Sequence, residues 1–264
     1  LASAIEVGMT QFTTPSGERP VALVTGATGG LGEQICRTLA QAGCAVVAGY
    51  RSSAEAAQSL VAQLDGAGHR ALAAPVTDSA ALARLADTVA THYGRCDVLV
   101  NCAGTTRFVA HDDLDGMHDA LIDDVLATNV RGPFAMVRAL RPLLAKSALA
   151  GGAVVVNISS IAAQTAMGSN VIYCASKAAL DNLTKSLARA LAPQIRVVSV
   201  SPGLVDTEFV KSMDTAWRDE QAARTPLGRL ADPQEIAQAV LAAARDLRFT
   251  TGCVLPVDGG RPLR

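Results

Sequence analysis

The stretch Val21-Ala22-Leu23-Val24-Thr25-Gly26-Ala27-Thr28-Gly29-Gly30-Leu31-Gly32 decides how the rest of the chain must fold. Its apolar start, closed by Thr25-Gly26, has the length and continuity of a strand buried on both faces. A helical period follows from Leu31 to Ala42 and stops at Gly43. Glycines between a strand and a helix let the backbone approach a pyrophosphate, whose charge then lies at the helix N-terminus. The fingerprint G-x-G-x-x-G does not fit, because Ile35 stands where the last glycine is needed. The Walker pattern fails as well, for want of Gly-Lys-Ser/Thr. What fits is Thr-Gly-x-x-x-Gly-x-Gly, with Gly26, Thr28, Gly30, Leu31 and Gly32 as the candidate phosphate contacts.

The same alternation continues along the chain. Further strands are expected at Cys44–Gly49, Ala71–Val76, Asp97–Val100, Ala153–Ile158, Ile195–Val200 and Cys253–Val257. Helices are expected at Ala54–Leu64, Ala80–Tyr93, Leu114–Lys146, around Tyr173–Leu191 and from Pro233 to Asp246. Asp78 is placed to cap the third helix and Gly94 to end it. Asp232-Pro233-Gln234-Glu235 is a complete helix start, with Asp at N-cap, Pro at N1 and Glu at N3. Strand followed by helix throughout implies right-handed crossovers, hence a single α/β domain over 20–264 with a doubly wound parallel sheet. The polar residues 1–19 are expected to form a disordered arm, with Met9 read as the natural start. They have neither the basic start nor the apolar core of a signal peptide.

Composition narrows the function. The chain has 264 residues, is 50% apolar and carries a net charge of −1, with no basic stripe. Nucleic acid and anionic membranes are therefore excluded as partners, and no apolar run is long enough to cross a bilayer. Six scattered cysteines without a C-x-x-C pair read as free thiols of a reducing, cytoplasmic compartment. The four histidines lack ligand spacing, so no metal site is expected.

Tyr173-Cys174-Ala175-Ser176-Lys177 places a phenol and an ammonium one helical turn apart. Alone, such a pair is an ordinary solvated helix pair. Beside a reacting oxygen it is an acid–base device, since the ammonium stabilises a phenolate. Ser159 and Ser160 both stand at the end of the strand Ala153–Ile158, where a hydroxyl can meet the same substrate atom.

Thr25 to Gly32, Asn101-Cys102-Ala103-Gly104, Asn129, Ser160, Tyr173-x-x-x-Lys177 and Pro202-Gly203 resemble, in order and spacing, the short-chain dehydrogenases/reductases. The resemblance runs from about Pro20 to Gly260 and implies a Rossmann-type fold with seven parallel strands, an NAD(P) cofactor, and a homotetramer or homodimer. It implies Tyr173 as general acid/base and Lys177 as its partner on the nicotinamide ribose. Ser160, thirteen residues before Tyr173, is implied as the hydrogen-bond donor to the substrate oxygen, and Asn129 as the holder of a relay water. Asn101, Ala103 and Gly104 are implied beside the adenosine ribose, and Pro202, Gly203, Val205 and Thr207 around the nicotinamide. Two positions depart from the pattern: Pro75-Val76 replaces the usual polar adenine contact, and Cys102 the second asparagine.

The second strand ends in Tyr50-Arg51-Ser52-Ser53, with no carboxylate to hold the ribose hydroxyls of NAD. Arg51 and Ser52 suit a 2′-phosphate, so NADP(H) is expected in preference to NAD(H). Glu208–Gly228 reads as an irregular substrate lid, and the expected substrate is a small ketone or secondary alcohol. The overall look is nearest to 3-oxoacyl-[acyl-carrier-protein] reductases, so an acyl thioester is one option. Carrier docking would need basic residues near 149–152 and 193–194, where only Arg189 and Arg196 stand close. An NAD-linked alcohol or polyol dehydrogenase and a catalytically silent cofactor-binding protein are the other readings.

Overall fold

The structure, a computed structural model, describes residues 12–263. The strands are β1 (Val21–Thr25), β2 (Ala45–Tyr50), β3 (Arg70–Ala73), β4 (Val98–Asn101), β5 (Ala153–Ile158), β6 (Ile195–Pro202) and β7 (Val254–Val257). All pair in parallel, in the order β3-β2-β1-β4-β5-β6-β7. The helices are α1 (Gly30–Gln41), α2 (Ala54–Ala62), α3 (Ser79–Tyr93), α4 (Asp119–Leu126), α5 (Gly132–Leu144) and α6 (Ala162–Thr165). They are followed by α7 (Val171–Leu191), α8 (Glu208–Lys211), α9 (Thr215–Ala223) and α10 (Pro233–Arg245).

Every residue of β1 and β5 is buried, and alternate residues feed two cores. Ala22 and Val24 pack with Ile35 and Leu39 of α1 and Ile236 and Val240 of α10. Val21 and Leu23 pack with Leu82 of α3 and Met136 and Leu140 of α5 on the other face. Each fully buried Leu or Ile in these layers contributes about 2 kcal/mol of transfer free energy. The strand order reverses between β1 and β4, so the crevice at their carboxyl ends is where such a sheet takes its ligand.

Three expectations are revised. The long helix expected over Leu114–Lys146 is two helices separated by a π turn at Ala127–Arg131, where the Gly132 N–H donates to Ala127 five residues back. Pro133 is the local cause, because it has no N–H to offer the Asn129 carbonyl four residues earlier. The third strand stops at Ala73, and the buried Val76 packs where a Cβ on Gly132 would come within 2.8 Å of it. The lid expected to be irregular contains α8 and α9, capped by Thr207 and Asp214. Of the expected arm, residues 1–11 lie outside the described residues. Within 12–19, Phe12 and Thr14 are buried and the rest exposed, and the Phe12 N–H donates to the Ala42 carbonyl.

Candidate active site

The glycine loop is shaped by contacts that only glycine permits. Gly26 has φ +67°, and a Cβ there would lie 2.9 Å from Ala103 Cα. A Cβ on Gly32 would run into the Gly26 carbonyl oxygen. Thr25 Oγ1 accepts from the N–H groups of Cys102 and Ala103, both at 3.1 Å, which locks this loop to the end of β4. Glu33 is the first residue of α1 whose N–H is paired, to Gly29, and the Gly29 cap has no side-chain bond. Among the described residues the N–H groups of Gly30, Leu31 and Gly32 have no partner, and Gly29 and Gly30 are exposed. A cradle of free amides at a helix N-terminus fits a pyrophosphate. Thr207 faces it, its Cβ 3.7 Å from where a Gly30 Cβ would stand.

The residues expected to act as acid and base gather at the end of β5 and the start of α7. Lys177 is buried, its Nζ 2.8 Å from the Ile158 carbonyl and 5.6 Å from the centre of the Tyr173 ring. Tyr173 is half-buried, and its hydroxyl bonds no described residue. Ser160 Oγ accepts from the Ala162 N–H at 3.2 Å, which leaves its own hydrogen free for a substrate oxygen. Ser159 is buried with an unpaired hydroxyl, so the structure separates the two serines by access. Asn129 sits in the π turn with its side chain fully engaged. Oδ1 accepts from the Thr105 N–H at 2.8 Å, and Nδ2 donates to the Thr105 carbonyl at 3.0 Å and Ser176 Oγ at 3.1 Å. Gly104 lies between the partners: a Cβ there would be 3.5 Å from Asn129 Oδ1 and 3.9 Å from Lys177 Nζ.

Other expected residues divide. Arg51 and Ser52 are exposed at the end of β2, and Arg51 forms no ion pair with a described residue. Asn101 does not turn its side chain to the cleft. It points into the sheet, with Nδ2 2.8 Å from Asn157 Oδ1, and is buried. Its backbone, with Ala103 and Gly104, still borders the crevice. Burial pushes the Cys102 thiol up to about 11, so it is an inert neutral group there. Pro202 is buried and Gly203 packs on Asp258, while Val205 bridges to Ala231. The lid is tied to this loop by Arg218 Nη2 to Asp206 Oδ1 at 2.7 Å. Arg107 donates to the Gly116 carbonyl at 3.1 Å. Arg196 is buried and bonded to four carbonyls near the end of α10, which removes it from any docking surface. Sequence reasoning missed Asn170, the N-cap of α7, and Ser176; the only signal was an Asn before an apolar helix and a Ser inside Tyr-x-x-Ser-Lys.

A family model described as enoyl-(acyl carrier protein) reductase matches residues 26–261. The chain is 39% identical over 254 residues to "Granaticin polyketide synthase putative ketoacyl reductase 2" of Streptomyces violaceoruber, covering 96% of this chain and 100% of that one. It is 38% identical over 249 residues to D-threitol dehydrogenase of Mycolicibacterium smegmatis, covering 92% and 93%. The "Crystal structure of a putative short-chain dehydrogenase/reductase from Burkholderia xenovorans" superposes with a TM-score of 0.85 at 35% identity, covering 93% of this chain and 99% of that one.

Proposed function

The chain belongs to the short-chain dehydrogenase/reductase family, and on that premise we propose that it is an NADP(H)-dependent oxidoreductase interconverting a ketone and a secondary alcohol. The observation that carries this reading is Lys177, which lies beside the Tyr173 ring and bonds the Ile158 carbonyl two residues before Ser160, with the hydroxyl hydrogen of Ser160 free.

A bound nicotinamide supplies hydride chemistry at its C4. The amides of Gly30, Leu31 and Gly32 would hold the pyrophosphate, and Arg51 with Ser52 a 2′-phosphate. Ser160 donates to the carbonyl oxygen, a bond that strengthens as negative charge develops there. Tyr173 gives its hydroxyl proton to that oxygen in reduction and, as phenolate, takes it back in oxidation. Lys177, held by the Ile158 carbonyl, stabilises the phenolate by charge. With both Asn129 amide hydrogens committed, the side chain has no donor left for a relay water, so such a water would be held by the Asn129 backbone carbonyl.

The substrate class is a small carbonyl compound. Carrier-protein docking loses one of its two basic candidates with the burial of Arg196, while Arg189 stays exposed. The test is a panel of ketones, 3-oxoacyl thioesters and polyols, followed by nicotinamide absorbance with NADPH and NADH in parallel. Ketone reduction with NADPH is expected, with Tyr173→Phe slower by about 10²–10⁴-fold. No turnover across the panel, or normal turnover by Tyr173→Phe, would overturn the reading; equal KM for NADPH and NADH would remove Arg51 from it.

A further inference from the structure

Tyr173 is gripped by side chains at both of its backbone polar atoms. Its N–H donates to Asn170 Oδ1 at 2.6 Å, and its carbonyl accepts from Ser176 Oγ at 2.7 Å. From both side chains the contacts lead to one loop. Asn170 Nδ2 donates to the Arg107 carbonyl at 2.7 Å and to Thr106 Oγ1 at 3.2 Å. Ser176 Oγ accepts from Asn129 Nδ2, and Asn129 holds Thr105 by both its N–H and its carbonyl. The hydrogen bonds therefore close a ring: Tyr173, Asn170, the loop Thr105–Arg107, Asn129, Ser176, and Tyr173 again.

The ring is saturated. Each asparagine uses both amide hydrogens and its oxygen, and Ser176 uses its hydrogen and a lone pair. Asn170 and Ser176 are fully buried and Asn129 is 1% exposed. Removing one member leaves buried partners unpaired. Capping α7 needs only Asn170 Oδ1; the two bonds from Nδ2 reach a loop 63 and 64 residues earlier and serve no helix.

We propose that Asn170 and Ser176 are positioning residues for proton transfer by Tyr173. Together with Asn129 they make the loop after β4 and the first turn of α7 one rigid piece, and so fix the point from which the phenol reaches the substrate. The proposal rests on the reading of Tyr173 as general acid/base. An ångström of displacement at that backbone is carried to the hydroxyl by a stiff ring, a misplacement worth up to about 10²-fold in rate.

The variants are Asn170→Ala, Ser176→Ala and Asn170→Asp, which keeps the cap acceptor but loses the amide donors. Steady-state kinetics against pH, cofactor titration by fluorescence and thermal unfolding are measured on each. The expected result is a fall in kcat of about 10–100-fold with cofactor affinity kept. The pH of half-maximal alcohol oxidation should rise, because the phenolate is no longer held at the Lys177 charge. Asn170→Asp keeps the cap acceptor but turns a buried carboxylate towards the Arg107 carbonyl, so it should lose stability as well as stay slow. An unmoved pH profile in all three variants, whatever happens to Tm, overturns the proposal and leaves a helix cap. Should Asn170→Ala not fold, Ser176→Ala decides alone, since it removes a single oxygen. Tyr173→Phe separates the two claims. If it turns over normally, the general-acid reading fails; if it is inactive while the Asn170 and Ser176 variants behave as wild type, only the positioning proposal fails.

Discussion

At His69 an imidazole is built into the end of the sheet. Its Nδ1 accepts from the Val46 N–H at 3.1 Å, just beyond the β2–β3 ladder, and its Nε2 donates to the Asp65 carbonyl at 3.0 Å. This arrangement requires the neutral ring. Burial, aided by the Arg19 guanidinium, holds its pKa below the usual 6.5, against the opposing pull of Asp65. A histidine with a lowered folded value contributes stability that is complete above the unfolded value and lost as pH falls below it. The denaturation midpoint should therefore decline between about pH 7 and 5. His69→Asn, which keeps an acceptor but cannot titrate, should flatten that decline; parallel pH curves for the two proteins would contradict it.

Among the elements, α10 is fastened at both ends. Its start is a capping box, with Asp232 accepting from the first turn and Glu235 returning to the Asp232 N–H at 2.9 Å. Its end is held by Arg196 of β6, whose guanidinium donates to the carbonyls of Ala243, Ala244, Leu247 and Thr250. A cation at a helix C-terminus meets the free carbonyls and the negative end of the dipole. Arg196→Ala should cost about 3 kcal/mol by stranding buried carbonyls. Arg196→Lys should recover only part of it, because one ammonium cannot span four acceptors. Denaturant titration measures both, and a loss below about 1 kcal/mol in Arg196→Ala would show that water replaces the guanidinium.

Across the whole molecule, one apolar groove lies exposed, and it would suit a second copy of this chain. Leu126, Val130 and Phe134 meet Ala179 and Leu183 along a groove between the π turn and α7, with Leu126 38% and Phe134 42% exposed. Asp123 and Arg131 line the same groove, so a two-fold contact would bring groups of opposite charge to it. The π turn presents Val130 and Arg131 to this groove and Asn129 to Thr105 and Ser176, so assembly would buttress the proposed site. Phe134→Glu should therefore yield a smaller particle by light scattering, with reduced kcat; a wild type that is monomeric at assay concentration would remove this reading.

The sequence by itself determined the order of strands and helices, the parallel sheet and the glycine turn between β1 and α1. These depend on short-range period, on the freedom of glycine and on caps such as Asp78 and Asp232, which act within a few residues. It also placed Tyr173 above Lys177, because four residues make one helical turn. Only the tertiary structure decided which polar side chains face the cleft. Asn101 turns into the sheet towards Asn157, Arg196 disappears under α10, Ser160 keeps a free hydrogen where Ser159 is enclosed, and Asn170 meets a loop more than sixty residues away. Each outcome depends on which acceptor another strand or loop brings within 3 Å or so, and no local pattern encodes that distance.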